Sequence, residues 1–244
     1  MSKLLARVKA ALFPNRCAYC GNVIPEGALC CARCDRELPR IKGKVCAKCG
    51  REKEFCSCAG REQYFISAAA PFYYEGKVRS AISRFKFQSG TSLCDAFAGE
   101  MKLAVEKRFP DVRFDLIVTV PLTSKSGARR GYDQCDLIAR RLSELTGIEY
   151  LPGAIKKIYE TGKQHEMRGI FRRGNLAGVF DVTSPGAVEG KNILLIDDIS
   201  TSGETLGECA KMLWLCSAGS IYCATVALTK SKKKQQKGEN RDGN

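Results

Sequence analysis

From Tyr64 onward the apolar and polar positions fall into the two periods of regular structure. Phe65-Ile-Ser-Ala-Ala-Ala-Pro-Phe-Tyr-Tyr74 reads as extended chain interrupted at Pro71, which has no N–H to give to a ladder. Helical spacing follows from Lys77 through Phe87, and a second helix is predicted over Leu93 to Lys107. Strands and helices then alternate. Leu116 to Val120 is a buried strand, and Leu137 to Leu145 is an amphipathic helix closed by Gly147. Asn192 to Ile196 is the next buried strand, Thr205 to Cys216 the next helix and Ile221 to Ala227 the last strand. Such repetition predicts an α/β domain with a central parallel sheet flanked by helices. Residues 160 to 180 break any periodicity over a length too great for an ordinary connection, and read as a functional loop.

The ends of the chain follow different patterns. Leu4, Leu5, Val8, Ala11 and Leu12 recur at helical spacing before Pro14, predicting a short amphipathic helix over residues 1–14 that packs on the main body. Arg7 and Lys9 fall inside what would have to be the apolar core of a signal peptide, so that reading is set aside. No run approaches the ~18 apolar residues of a membrane span, and the expectation is a cytoplasmic protein in a reducing compartment. Residues 230–244 are polar, carry a net +4 and read as a disordered basic tail.

Residues 15–62 are short on apolar runs and hold nine of the fourteen cysteines, which predicts a small module held by metal rather than by a core of its own. Cys17-Ala-Tyr-Cys20 and Cys31-Ala-Arg-Cys34 form two knuckles whose four thiolates can converge on one structural zinc ion. Cys30 is an alternative to Cys31, but only Cys31 stands two residues clear of Cys34. Cys46-Ala-Lys-Cys49 opens a second set, completed by Cys56 and Cys58 across a single intervening residue. Gly21 and Gly50, each directly after a leading knuckle, suit the turn that aims amides at sulfur. Four thiolates leave the metal no open position for chemistry; an iron–sulfur cluster is the competing occupant. The formal net charge of +14 points to an anionic partner. Each loaded zinc site contributes −2, which lowers the total to +10 and leaves the basic excess in place.

Four apolar residues lead into Asp197-Asp198 and then into Ser200, Thr201, Ser202, Gly203 and Thr205 at the start of a helix. Orphan amides and the helix dipole favour a phosphate monoester there, and Gly203 lets the backbone come close to it. The paired carboxylates can accept hydrogen bonds from sugar hydroxyls or hold a divalent cation. A sugar phosphate satisfies both halves.

Ile193 to Thr205 resembles, without a gap, the phosphoribosyl pyrophosphate signature of type I phosphoribosyltransferases. Further segments extend the likeness: Val120-Pro-Leu-Thr-Ser-Lys125, Arg129-Arg-Gly-Tyr-Asp-Gln134, Lys163-Gln-His-Glu-Met-Arg168 and Arg172 to Phe180. With the cysteine module, these make the chain similar to the ComF family as far as residue 229. The resemblance implies a double zinc ribbon over 15–62 and a type I phosphoribosyltransferase fold over 63–229. It implies that Asp197 and Asp198 hold the ribose as the catalytic pair, with Ser200, Thr201, Ser202, Gly203, Glu204 and Thr205 around the 5-phosphate. Lys125, Arg129 and Arg130 in the loop after the first core strand, and Lys163 and Arg168 in a mobile loop over about Thr161 to Leu176, become candidates for the pyrophosphate of a magnesium-bound substrate. His165 reads as solvated rather than catalytic. The implied activity is phosphoribosyl transfer to an unidentified acceptor in nucleotide metabolism. The alternative is a non-catalytic module for DNA uptake that binds single-stranded DNA and a helicase through its ribbons. Serine at position 2 leaves no N-terminal nucleophilic cysteine, so a glutaminase half is not expected.

Overall fold

The structure, a computed structural model, describes residues 14–56, 58, 63–85, 91–121, 133–158 and 179–230. The expected N-terminal helix, the loop carrying Lys125, Arg129 and Arg130, the loop carrying Lys163, His165 and Arg168, and the basic tail lie outside the described residues.

The body is a parallel sheet with helices on both faces. Its strands are β1 (Ala68–Ala69), β2 (Phe72–Tyr73), β3 (Leu116–Thr119), β4 (Glu149–Tyr150), β7 (Ile193–Ser200) and β8 (Ile221–Leu228), in the order β1-β8-β7-β3-β4 with β2 continuing along β8. Pro71 separates β1 from β2 as expected. β5 (Ile155–Lys157) and β6 (Phe180–Val182) form a separate antiparallel pair, at the two ends of the segment over 158–179. The helices are α1 (Ala32–Glu37) in the cysteine-rich segment, α2 (Gly76–Phe85), α3 (Thr91–Arg108), α4 (Gln134–Thr146), α5 (Pro185–Val188) and α6 (Glu204–Leu215). Asp133 caps α4, its carboxylate accepting from the amides of Cys135 and Asp136, and Gly147 closes it.

One departure from the sequence reading concerns the middle of the sheet. The strand expected to end at Ile196 continues through Asp197 and Asp198 to Ser200, because β8 stays in register beside it: Asp197 faces Thr225 and Ser200 faces Leu228. Ladder bonds to a neighbour thus carry polar residues that periodicity assigns to a turn. The short elements β4, β5, β6, α1 and α5 have too few residues to leave a periodic trace.

Strand alternation splits the core in two. Ile117, Leu194, Ile196, Ala224 and Val226 face α2, α3 and α4, whereas Leu116, Val118, Ile193, Leu195 and Cys223 face α5, α6 and the β5–β6 pair. The cysteine-rich segment has no core of its own, yet it is not a separate body. Cys17, Ala18, Tyr19, Ile24, Cys34 and Leu38 belong to the first core, and the Tyr19 ring meets Phe72 and Phe97 edge-on at 6.4 and 6.2 Å. Such pairs contribute ~0.5–1.5 kcal/mol each beyond area burial. Arg40 completes the attachment with a bidentate bond to Glu100 at 2.6 and 2.8 Å.

Candidate functional site

Fourteen free cysteines and no disulfide leave the thiols available as ligands. Cys17, Cys20, Cys31 and Cys34 bring their Sγ atoms within 4.8 Å of one another, and so do Cys46, Cys49, Cys56 and Cys58. Cys30 is outside the first group; its thiol turns to the Cys31 carbonyl instead. The Cys20–Cys31 and Cys49–Cys56 Sγ separations are both 3.8 Å. A tetrahedron with zinc–sulfur bonds of about 2.3 Å has an edge of about 3.8 Å, so both clusters fit structural zinc ions. Amides reinforce the sulfurs: Cys31 N donates to Cys17 Sγ and Cys34 N to Cys31 Sγ, each at 3.4 Å. Burial raises the Cys17 thiol, but the amides of Cys31, Cys20 and Tyr19 outweigh it and bring the pKa down to about 6. Cys46 comes down to about 7, where the amides of Cys49 and Lys48 and the thiols of Cys56 and Cys49 outweigh burial. Both knuckles are pinned by arginines of the body. Arg84 donates to the carbonyls of Ala18 and Tyr19, and Arg108 to those of Cys46 and Ala47.

Every strand of the main sheet runs the same way, so the ends of β3, β7 and β8 share one edge. The chain leaves β3 toward β4 on one side and returns through β7 and β8 on the other. The C-terminal ends of β3 and β7 therefore flank a switch point, where open parallel sheets bind ligands. Asp197 and Asp198 stand there, both partly buried. Asp197 Oδ1 accepts from the Asp198 amide at 2.8 Å, and the Cys135 thiol lies 3.7 Å away. Burial and the adjacent Asp198 carboxylate push the Asp197 carboxyl up to about 8. Burial, then the charges of Asp197, Asp198 and Asp133, hold Cys135 well above the ordinary thiol range. In this arrangement the thiol donates to the Asp197 carboxylate.

After Ser200 the chain turns into α6 through Thr201 and Ser202, both exposed, and Gly203, whose φ of 83° is left-handed. Among the described residues no backbone carbonyl accepts from the amides of Thr201 or Gly203, and the Ser202 hydroxyl accepts from Glu204 N at 3.4 Å. Amides at the start of a twelve-residue helix are of the kind that suits an anion. Thr201 and Ser202 lie on this exposed turn and Glu204 and Thr205 are exposed in the first turn of α6, whereas Ser200 is buried at the end of β7.

Sequence reading missed three neighbours of the site. Cys135 touches Asp197 from the first turn of α4. Thr229, at the end of β8, donates its amide to Ser200 O at 3.0 Å and its hydroxyl to Thr201 O at 3.4 Å. Arg51, from the second cysteine cluster, reaches the same carbonyls. None lies in a motif; they meet the turn only through the fold.

An open parallel sheet in the order β1-β8-β7-β3-β4, a carboxylate pair at its switch point and two four-cysteine clusters define the class: a type I phosphoribosyltransferase-like fold preceded by a double zinc ribbon. Residues 8–64 match the family described as "Double zinc ribbon domain". The chain is 30% identical over 212 residues to "Competence protein F" of Haemophilus influenzae, covering 82% of this chain and 91% of that protein. It therefore belongs to the ComF family. It is also 28% identical to "Competence protein ComFC" of Bacillus subtilis (75% of this chain, 77% of that one) and 25% identical to "DNA utilization protein YhgH" of Escherichia coli (84% and 86%). Among solved structures it is similar to adenine phosphoribosyltransferase of Saccharomyces cerevisiae, with TM-score 0.35 and 21% identity over 57% of this chain and 67% of that one. The sheet order and the segment it carries, rather than this overlap, describe the fold. No helix among the described residues is long and apolar enough to cross a membrane.

Proposed function

We propose that this ComF protein binds phosphoribosyl pyrophosphate, or another ribose 5-phosphate ligand, at the C-terminal end of β7. The observation that carries the reading is the pair Asp197 and Asp198 at the switch point, directly before the amides of the 201–203 turn. In this reading the turn holds the 5-phosphate through backbone donors, and the two carboxylates accept hydrogen bonds from the ribose hydroxyls. Magnesium bound with the pyrophosphate would supply charge neutralisation on the leaving side. Transfer would break the bond from ribose C1 to the pyrophosphate oxygen, the electron pair leaving with pyrophosphate, and form a bond from C1 to a nucleophilic acceptor atom. Lys125, Arg129, Arg130, Lys163 and Arg168 are proposed to face the departing charge, and the eight clustered cysteines to hold two zinc ions.

The test is calorimetric titration of phosphoribosyl pyrophosphate with magnesium into the wild type and an Asp197→Asn, Asp198→Asn double variant. Binding by the wild type, weakened at least about a hundredfold in the variant by loss of both carboxyl groups, is expected. Absence of heat from the wild type would sink the ligand reading. Pyrophosphate released on adding a panel of nucleobases would establish turnover.

A second reading has its own support. The relatives are called competence and DNA utilization proteins, and the chain carries +14 formal charge. A module that handles single-stranded DNA, with a helicase partner at the ribbons, would bind DNA with steep salt dependence and release no pyrophosphate.

A further inference from the structure

Arg51 directly follows the knuckle Cys46-Ala-Lys-Cys49-Gly50, and its backbone is part of that knuckle: Cys46 N donates to Arg51 O at 2.7 Å, and Gly50 N to Cys46 O at 3.2 Å. Gly50 has a φ of 72°, and a Cβ there would stand 2.5 Å from Ala68 O, so the knuckle sits hard against β1. The side chain then leaves the ribbon and is buried in the body at 3% exposure. Nε donates to Thr229 O at 2.7 Å, and Nη2 donates to Ser200 O at 3.1 Å and to Thr201 O. All three acceptors lie where β7 and β8 end, and two are the peptide groups that open the phosphate turn. Arg51 also lines a small cavity together with Cys49, Cys58, Ser202 and Gly203.

Two physical consequences follow. In a trans peptide the C=O of one residue and the N–H of the next point in opposite directions. Holding the carbonyls of Ser200 and Thr201 on Arg51 thus turns the N–H groups that follow them away from it, and presents the Thr201 amide, which no backbone carbonyl among the described residues takes, on the far side of the turn. The guanidinium is also a buried cation whose partners are carbonyls, with no carboxylate paired to it among the described residues. A buried charge without a counter-ion is costly, and a phosphate close behind the turn would relieve that cost.

We infer that Arg51 is a positioning residue, through which the second cysteine cluster sets the amide geometry of the phosphate turn. The inference rests on the phosphate reading above for its ligand but not for its geometry. The experiment compares wild type, Arg51→Gln and Cys58→Ser by ribose 5-phosphate titration, zinc content and amide hydrogen exchange. If the wild type binds ribose 5-phosphate, Arg51→Gln should retain two zinc ions and bind at least about tenfold more weakly, having lost charge-assisted bonds. Equal affinity would overturn the inference. If the wild type does not bind ribose 5-phosphate, the failure falls on that ligand and not on the positioning, which exchange decides. Faster exchange confined to segments 201–207 and 226–230, with α4 unchanged, supports positioning; unchanged exchange, or a rise spread over the whole chain, overturns it. Cys58→Ser should reproduce the local rise, and its absence would remove the cluster from the mechanism. Should Arg51→Gln fail to fold, Arg51→Lys, which keeps the charge but cannot span three carbonyls, is judged by the same criteria.

Discussion

The two cysteine clusters share one ligand chemistry but are built into the molecule by different forces. Around the first, Cys17 and Cys34 are buried and Tyr19, Ile24 and Leu38 enter the same core as Phe72 and Phe97. Around the second, the attachments are mostly directional polar bonds: Arg108 to the carbonyls of Cys46 and Ala47, Ala68 N to Lys48 O at 2.7 Å, and Arg51 to the ends of β7 and β8. Apolar burial is strong and indifferent to angle, so it sets stability; hydrogen bonds contribute less but fix orientation. The difference teaches that the first cluster is built into the core of the fold, while the second is fastened by hydrogen bonds to the ends of β7 and β8, where the proposed phosphate turn begins.

The largest expected effect comes from removing one ligand from each cluster. Cys34→Ser should lose one zinc ion and about 3–5 kcal/mol, lowering Tm by roughly 10 °C, because a metal and a packed core face go together. Cys58→Ser should also lose one zinc ion but lower Tm by no more than roughly 3 °C. Calorimetry with metal analysis checks both, and equal losses would break the comparison.

An intermediate effect concerns pH. The Asp197 carboxyl is raised to about 8 in the folded protein against about 3.9 when unfolded. A raised group binds its proton more tightly in the fold, so its contribution is complete below about pH 4 and is lost as pH rises through about 8. Denaturant titrations between about pH 5 and about pH 9 should show stability falling in the wild type and a flatter profile in Asp197→Asn. If ionised Asp197 is the form that accepts from ribose, ligand affinity should run the other way and strengthen toward pH 8.

The smallest effect separates the two pinning arginines. Arg84→Met and Arg108→Met each remove bonds to two knuckle carbonyls and should cost about 1–2 kcal/mol. Only Arg108→Met, on the side of the second cluster, should also weaken ribose 5-phosphate binding. A ligand effect from Arg84→Met of the same size would blur the distinction between the clusters.

Much of the fold was legible in the chain. The strands β3, β7 and β8 and the helices α3, α4 and α6 were expected within a few residues, because each buries a run long enough to impose a period. Six of the eight clustered cysteines were legible from a two-residue gap, down to Cys31 over Cys30, since that gap lets one turn present two sulfurs to one centre, and Cys56 and Cys58, one residue apart, complete the second group. The carboxylate pair and the glycine turn were legible as local chemistry.

Other features depended on partners far along the chain. The extension of β7 through Asp197 to Ser200 required β8 beside it. The burial of Ser200, the approach of Cys135 to Asp197 and the merging of the ribbon with the body's core required the sheet to bring segments together. Arg51 is the clearest case: in sequence it is one basic residue among many in a basic ribbon, and its partners Ser200 and Thr229 lie 149 and 178 residues away. Sequence alone determined which chemistry was present, because periodicity, ligand spacing and turn residues act over a few positions. Tertiary structure decided what that chemistry touches, because three carbonyls converge on one guanidinium only after two strands and a metal knuckle have packed against each other.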